Sequence, residues 1–170
     1  MFSTNRIVIG ICLILTYLFS GSTFAAPNEL STPLLDETYY NEMGMKDFKQ
    51  GYYKLLPSGK KAEANKKIDQ AEKSFLKAIE INDDYIDAHR NLARLYYVQK
   101  NFDQAAEEYA QVIRLNPENI DNYLNMALAL TELGNFDEAI YYLEEAKTKT
   151  TDNQIIQKLN EYIAKIEQAE

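Results

Sequence analysis

The chain repeats itself at intervals of 34 residues, and that period constrains its fold more than any other feature. Ala71, Ala105 and Ala139 form one column, and Ile68, Phe102 and Phe136 a second. Asp69, Asp103 and Asp137 form a third, Phe75, Tyr109 and Leu143 a fourth, and Ala78, Val112 and Ala146 a fifth. Upstream in each unit, Leu92-Ala93 pairs with Met126-Ala127 and Tyr96 with Leu130. One such coincidence can arise by chance; parallel columns in a fixed register mark a repeat.

The spacing inside a unit says what each unit is. Ala88, Leu92, Leu95 and Tyr96 recur at helical intervals until Lys100-Asn101 breaks the pattern. Phe102, Ala105, Ala106, Tyr109, Val112 and Ile113 make a second apolar stripe, which stops at Asn116-Pro117 because a proline disfavours helix at the residue before it. Two helices of about a dozen residues joined by a short turn make an antiparallel hairpin. Ala93 and Ala105 leave room for the two backbones to approach.

Leu92-Ala93, Tyr96, Ala105, Tyr109 and Pro117, followed by Met126-Ala127, Leu130, Ala139 and Leu143, resemble the tetratricopeptide repeat. The likeness covers 86–119 and 120–153, with the second helix of an earlier unit at about 62–84. His89 stands where that family prefers a large aromatic, which Tyr123 keeps, and Thr151 replaces the terminal proline. The resemblance implies an all-α fold, a right-handed superhelical stack of about three helical hairpins closed by a C-terminal capping helix.

The ends of the array are less regular. The first unit, 36–85, opens on a helix with Tyr40, Met43, Phe48, Tyr52 and Leu55 roughly on one side. If Phe48 is the counterpart of Leu92, about ten residues are inserted near 57–67, forming either a longer second helix or a loop. Residues 26–35 read as a linker. In 154–170, Ile155, Ile156, Leu159, Ile163 and Ile166 form a stripe suited to covering the last hairpin, as a stacked array requires for solubility.

Residues 1–25 read as an address. Arg6 precedes an apolar run from Ile7 to Phe19, shorter than the roughly 20 residues that span a bilayer. Thr23 and Ala25 supply the small side chains that a signal peptidase accepts, so cleavage is expected after Ala25. The expectation is a periplasmic or secreted protein; an uncleaved segment would instead be its only membrane anchor. Cleavage would remove Cys12, the only cysteine, and with it any thiol chemistry.

Composition excludes several functions. A formal net charge of −8 argues against broad binding to nucleic acid. One Cys and one His are too few for a structural zinc site, and no cofactor motif or small-molecule substrate site is expected. Asn82-Asp83-Asp84 lacks the glycine of a calcium loop and reads as a turn and helix start. His89 is the sole candidate general base, and on a packing face it reads as structural. No enzyme is expected. Charge is uneven: 54–77 holds seven lysines against three acids, whereas 78–170 nets −10.

Within the resemblance, the first helix of each unit lines a concave groove where peptides lie. By register the groove residues are Asp87, Arg90, Asn91, Arg94 and Tyr97 in one unit, then Asp121, Leu124, Asn125 and Leu128 in the next. Asn91 and Asn125 stand 34 apart, and a carboxamide can pair with both the N–H and the C=O of an extended peptide. Arg90 and Arg94 resemble part of a basic clamp on a terminal carboxylate, or pair with neighbouring acids such as Asp87. The expected function is a non-catalytic scaffold or adaptor in the cell envelope, with a protein or peptide partner. The alternative is a self-assembling, homo-oligomeric structural subunit.

Overall fold

The computed structural model describes residues 35–168 of the 170-residue chain. The proposed address, its cleavage position and nearly all of the linker lie outside the described residues. Seven α-helices and no strand occur among the described residues. They are α1 (Glu37–Phe48), α2 (Lys61–Ile81), α3 (Ile86–Val98), α4 (Phe102–Leu115), α5 (Ile120–Leu133), α6 (Phe136–Thr148) and α7 (Asn153–Glu167), with a π-helical stretch, Lys49–Leu55, prolonging α1. α1/α2, α3/α4 and α5/α6 are hairpins, each packed on the next, and α7 packs on α6.

Local chemistry starts and stops these helices. Asp36, Asn119 and Asp152 cap α1, α5 and α7, each side-chain oxygen accepting an otherwise unpaired backbone N–H. α3 and α5 end alike. Asn101 N–H donates to the Tyr96 carbonyl, and Asn135 N–H to that of Leu130, both at 2.9 Å. The residue before each asparagine must turn left-handed for this bond to form. It is Gly134 in one unit, with φ 78°, and Lys100 in the other, with φ 65°.

The alanine columns and the apolar positions beside them make the core, while the aspartate column is exposed. Ala71, Ala78, Ala88, Ala105, Ala139 and Ala146 have no exposed surface, and Phe75, Leu92, Leu95 and Leu143 fill the space they leave. Gly44 performs the alanines' task more severely: a Cβ there would sit 2.5 Å from the Phe75 ring, so only glycine allows α1 this close to α2. Of the additional residues near 57–67 in the first unit, 57–60 form a turn and the rest open α2. α2 runs 21 residues, and the π-helical stretch lies along its beginning, with a Gly51 Cβ position only 2.9 Å from the Ala64 carbonyl. Lys67 of α2 also bonds Asp47, near the end of α1, at 2.7 Å.

Lys100 should be a strained position, because a left-handed residue with a Cβ costs about 1–2 kcal/mol, partly offset by the greater unfolded-state freedom of glycine. Lys100→Gly should therefore stabilise the fold by roughly 0.5–1 kcal/mol in urea titration. Gly134→Lys should destabilise it by a similar amount.

Candidate functional site

A groove of about 800 Å³ opens between α3, α5 and α7. Leu124, Ala127 and Leu128 of α5 form its apolar floor, and Asn125 projects from the same helix. Leu128 is 46% exposed. Arg90 and Arg94 reach in from α3, Asp121 marks the start of α5, and Tyr162, Lys165 and Ile166 form the wall contributed by α7.

Six of the nine residues placed in the groove by sequence register thus line this cavity: Arg90, Arg94, Asp121, Leu124, Asn125 and Leu128. Asp87, Asn91 and Tyr97 do not. Asp87 is engaged with Arg90 at 2.6 Å, an exposed pair one helical turn apart that fixes the guanidinium more than it stabilises the fold. Asn91 donates its amide to Asn41 Oδ1 at 2.9 Å, tying α3 to α1. The two asparagines are therefore not equivalent, for Asn91 holds the stack together while Asn125 faces the groove. Tyr97 packs edge-on against Phe102, with ring centres 5.3 Å apart, and burial, aided by Glu132, holds its hydroxyl above the ordinary value.

Sequence register missed the wall from α7. The apolar stripe of that helix does bury Leu159, Ile163 and Ile166. Tyr162 and Lys165 lie just off the stripe, and Lys165 Nζ sits 5.6 Å from the Tyr162 ring centre. A helix that covers the last hairpin necessarily turns its adjoining residues along the groove. An aromatic and a lysine three positions apart beside the stripe were the available signal.

A second cavity, about 640 Å³, lies along α1 and the π-helical stretch, lined by Asn41, Met45, Lys46, Lys49 and Lys54 among others. No group of three or more His, Cys, Asp or Glu side chains among the described residues could hold a metal ion. No helix among them is long and apolar enough to cross a membrane.

His89 is structural in its contacts. It is buried, with Nε2 2.9 Å from the Asp83 carbonyl and Nδ1 2.6 Å from Glu108 Oε2. An imidazolium, with both ring nitrogens donating, satisfies both neighbours at once. The bond to Glu108 raises its pKa above the usual 6.5, against the opposing effect of burial; the Asp83 carbonyl adds to the rise and Arg114 reduces it. One unit later, Tyr123 donates its hydroxyl to the Pro117 carbonyl at 2.9 Å, six residues upstream as Asp83 is from His89. Tyr142, the counterpart of Glu108, lies beside the Tyr123 ring at 6.4 Å. A charged pair in one unit replaces an aromatic pair in the next, and the clasp on the preceding turn is kept. Burial pushes the hydroxyl of Tyr109, another column residue, up to about 12, so it stays neutral.

Two sequence profiles, each described as tetratricopeptide repeat, match the chain over residues 90–153 and 62–112. No curated protein matches it by sequence. Among solved structures, it is similar to the first TPR of Spaghetti (RPAP3) bound to the HSP90 peptide SRMEEVD, with a TM-score of 0.55, 20% identity, and coverage of 76% of this chain and 94% of that one. It is similar to the second TPR domain of human RPAP3 in complex with the HSP70 peptide SGPTIEEVD, with a TM-score of 0.56, 17% identity, and coverage of 77% and 98%. Similarity to MamA protein has a TM-score of 0.56 and 25% identity; it takes in 68% of this chain and 55% of MamA.

The His89 bond contributes stability in full below the unfolded-state value near 6.5, and that contribution is lost as pH rises through the raised folded-state value. Urea midpoints of the wild type should therefore fall as pH rises through that window. His89→Tyr alone should destabilise the protein by leaving Glu108 without its cation. Adding Glu108→Tyr should recover most of the loss and remove this pH dependence, a coupling that a double-mutant cycle reads directly.

Proposed function

The chain belongs to the tetratricopeptide repeat family, and from that premise we propose that it is a non-catalytic adaptor that holds a segment of a partner protein in the groove between α3, α5 and α7. The observation that carries this reading is the groove itself, an open concavity with an exposed apolar floor, an outward carboxamide at Asn125 and cations along its edge. Exposed apolar surface rimmed by polar groups suits a protein partner. Asn125 can pair with a peptide backbone as both donor and acceptor, while Leu124 and Leu128 offer a surface for side chains.

The supporting helices fit the task. The Asn91–Asn41 bond ties α3 to α1 and the His89–Glu108 bond ties it to α4, so the ordering cost of binding falls on the partner. Two of the similar structures are described as peptide-bound, which is consistent with a peptide as ligand. The site of action we propose is the cell envelope or the exterior, with residues 1–25 acting as the export signal; the charged start, short apolar run and small residues before Ala26 support it.

The double substitution Arg94→Ala, Asn125→Ala tests the groove. Both side chains are partly or fully exposed, so the melting temperature should change little. Quantitative mass spectrometry of partners captured from envelope extract should show at least about a tenfold loss, since one charged and one neutral hydrogen bond together contribute about 2–4 kcal/mol. Equal capture by wild type and variant would reject the groove as the binding surface.

A further inference from the structure

The groove's charge is opposite in sign to that of the molecule. The chain carries −8 overall, yet the charged side chains lining the groove are Arg90, Arg94, Lys165 and a single acid, Asp121. Arg90 is already neutralised by Asp87. Among the described residues, Arg94 and Lys165 have no carboxylate within 4.0 Å. Two cations that share a concavity and have no carboxylate partner among the described residues are placed to meet a charge from outside.

Of these two cations, Lys165 has an aromatic neighbour. Its ammonium lies near the face of Tyr162, a contact that orients it and does not cancel its charge. The same ring is 45% exposed and borders the apolar floor at Leu128. Tyrosine offers a large contact surface at low entropic cost and carries much of the energy at many interfaces. The terminal helix therefore presents a charge reader and an apolar surface side by side, at positions that sealing the stack does not require.

We propose that α7 is a recognition element as well as a cap, and that the groove takes a partner segment in which a carboxylate side chain neighbours a bulky apolar one. The carboxylate meets Lys165 and Arg94, and the apolar group lies between Tyr162 and Leu128. This rests on the adaptor reading above and adds the ligand chemistry and the residues that select it.

Selection of a random dodecapeptide display library on the immobilised full chain tests this. The wild type should enrich peptides with Asp or Glu beside Leu, Ile, Phe or Met. Synthetic peptides from that pool should lose affinity at least fivefold when the acid is replaced by its amide, and should bind more weakly as salt rises. Lys165→Gln should erase the preference for acid while retaining apolar enrichment. Tyr162→Ala should weaken the apolar preference, and both variants should melt near the wild-type temperature. Enrichment that Leu128→Glu abolishes but that shows no acidic bias would overturn the proposal and leave the adaptor reading standing. Enrichment indifferent to Leu128→Glu, or none, would overturn both. Light scattering showing concentration-dependent association that Lys165→Gln removes would make a second copy the occupant and would likewise overturn the proposal.

Discussion

Everything in this structure depends on how closely paired helices approach, and small side chains set that distance. Six alanines of the core have no exposed surface, and Gly44 takes the requirement to its limit against Phe75. Close approach lets Phe75, Leu92, Leu95 and Leu143 pack between helices, shut off from solvent. A hairpin built this way still has an unburied side, so it must stack on a neighbour. Stacking of α1/α2, α3/α4 and α5/α6 places α3 beside α5, and the groove results from that arrangement.

The repeats conserve contacts more closely than residues. His89 and Tyr123 differ in size and charge, yet each donates to a carbonyl six residues upstream and so holds the turn that feeds its helix. Imidazole has a second nitrogen to satisfy, and Glu108 supplies the acceptor where the next unit has Tyr142. The same logic applies at the hairpin turns, where Lys100 adopts the backbone shape that Gly134 adopts freely. Substitutions of this kind make single columns look degenerate while the helix geometry persists.

The fold was legible in the sequence because period, helix stripes and turn residues agree with one another. Lys100-Asn101 and Asn116-Pro117 end helices through backbone chemistry that can be read from residue type alone. The groove was legible on α5, where Leu124, Asn125 and Leu128 follow from register, and partly on α3. Asn91 bonds a partner that register cannot supply, since Asn41 belongs to the irregular first unit, 50 residues away. Tyr97 packs on Phe102, which begins the next helix and folds back on it. The wall from α7 escaped register because that helix lies beyond the last repeat and has no counterpart to align with.

In the proposed function, a rigid concave support meets a partner segment that becomes ordered on binding. The partner is then expected along α5 and not on the outer helices. Site-specific photocrosslinking in living cells tests this most directly, with the photoreactive residue placed at Leu128 in one strain and at Tyr141 in another. Tyr141 is 57% exposed on α6 and lies outside the groove's lining. The account predicts a discrete protein adduct from position 128 and none from 141. Adducts from 141 alone, or none from either position, would contradict it.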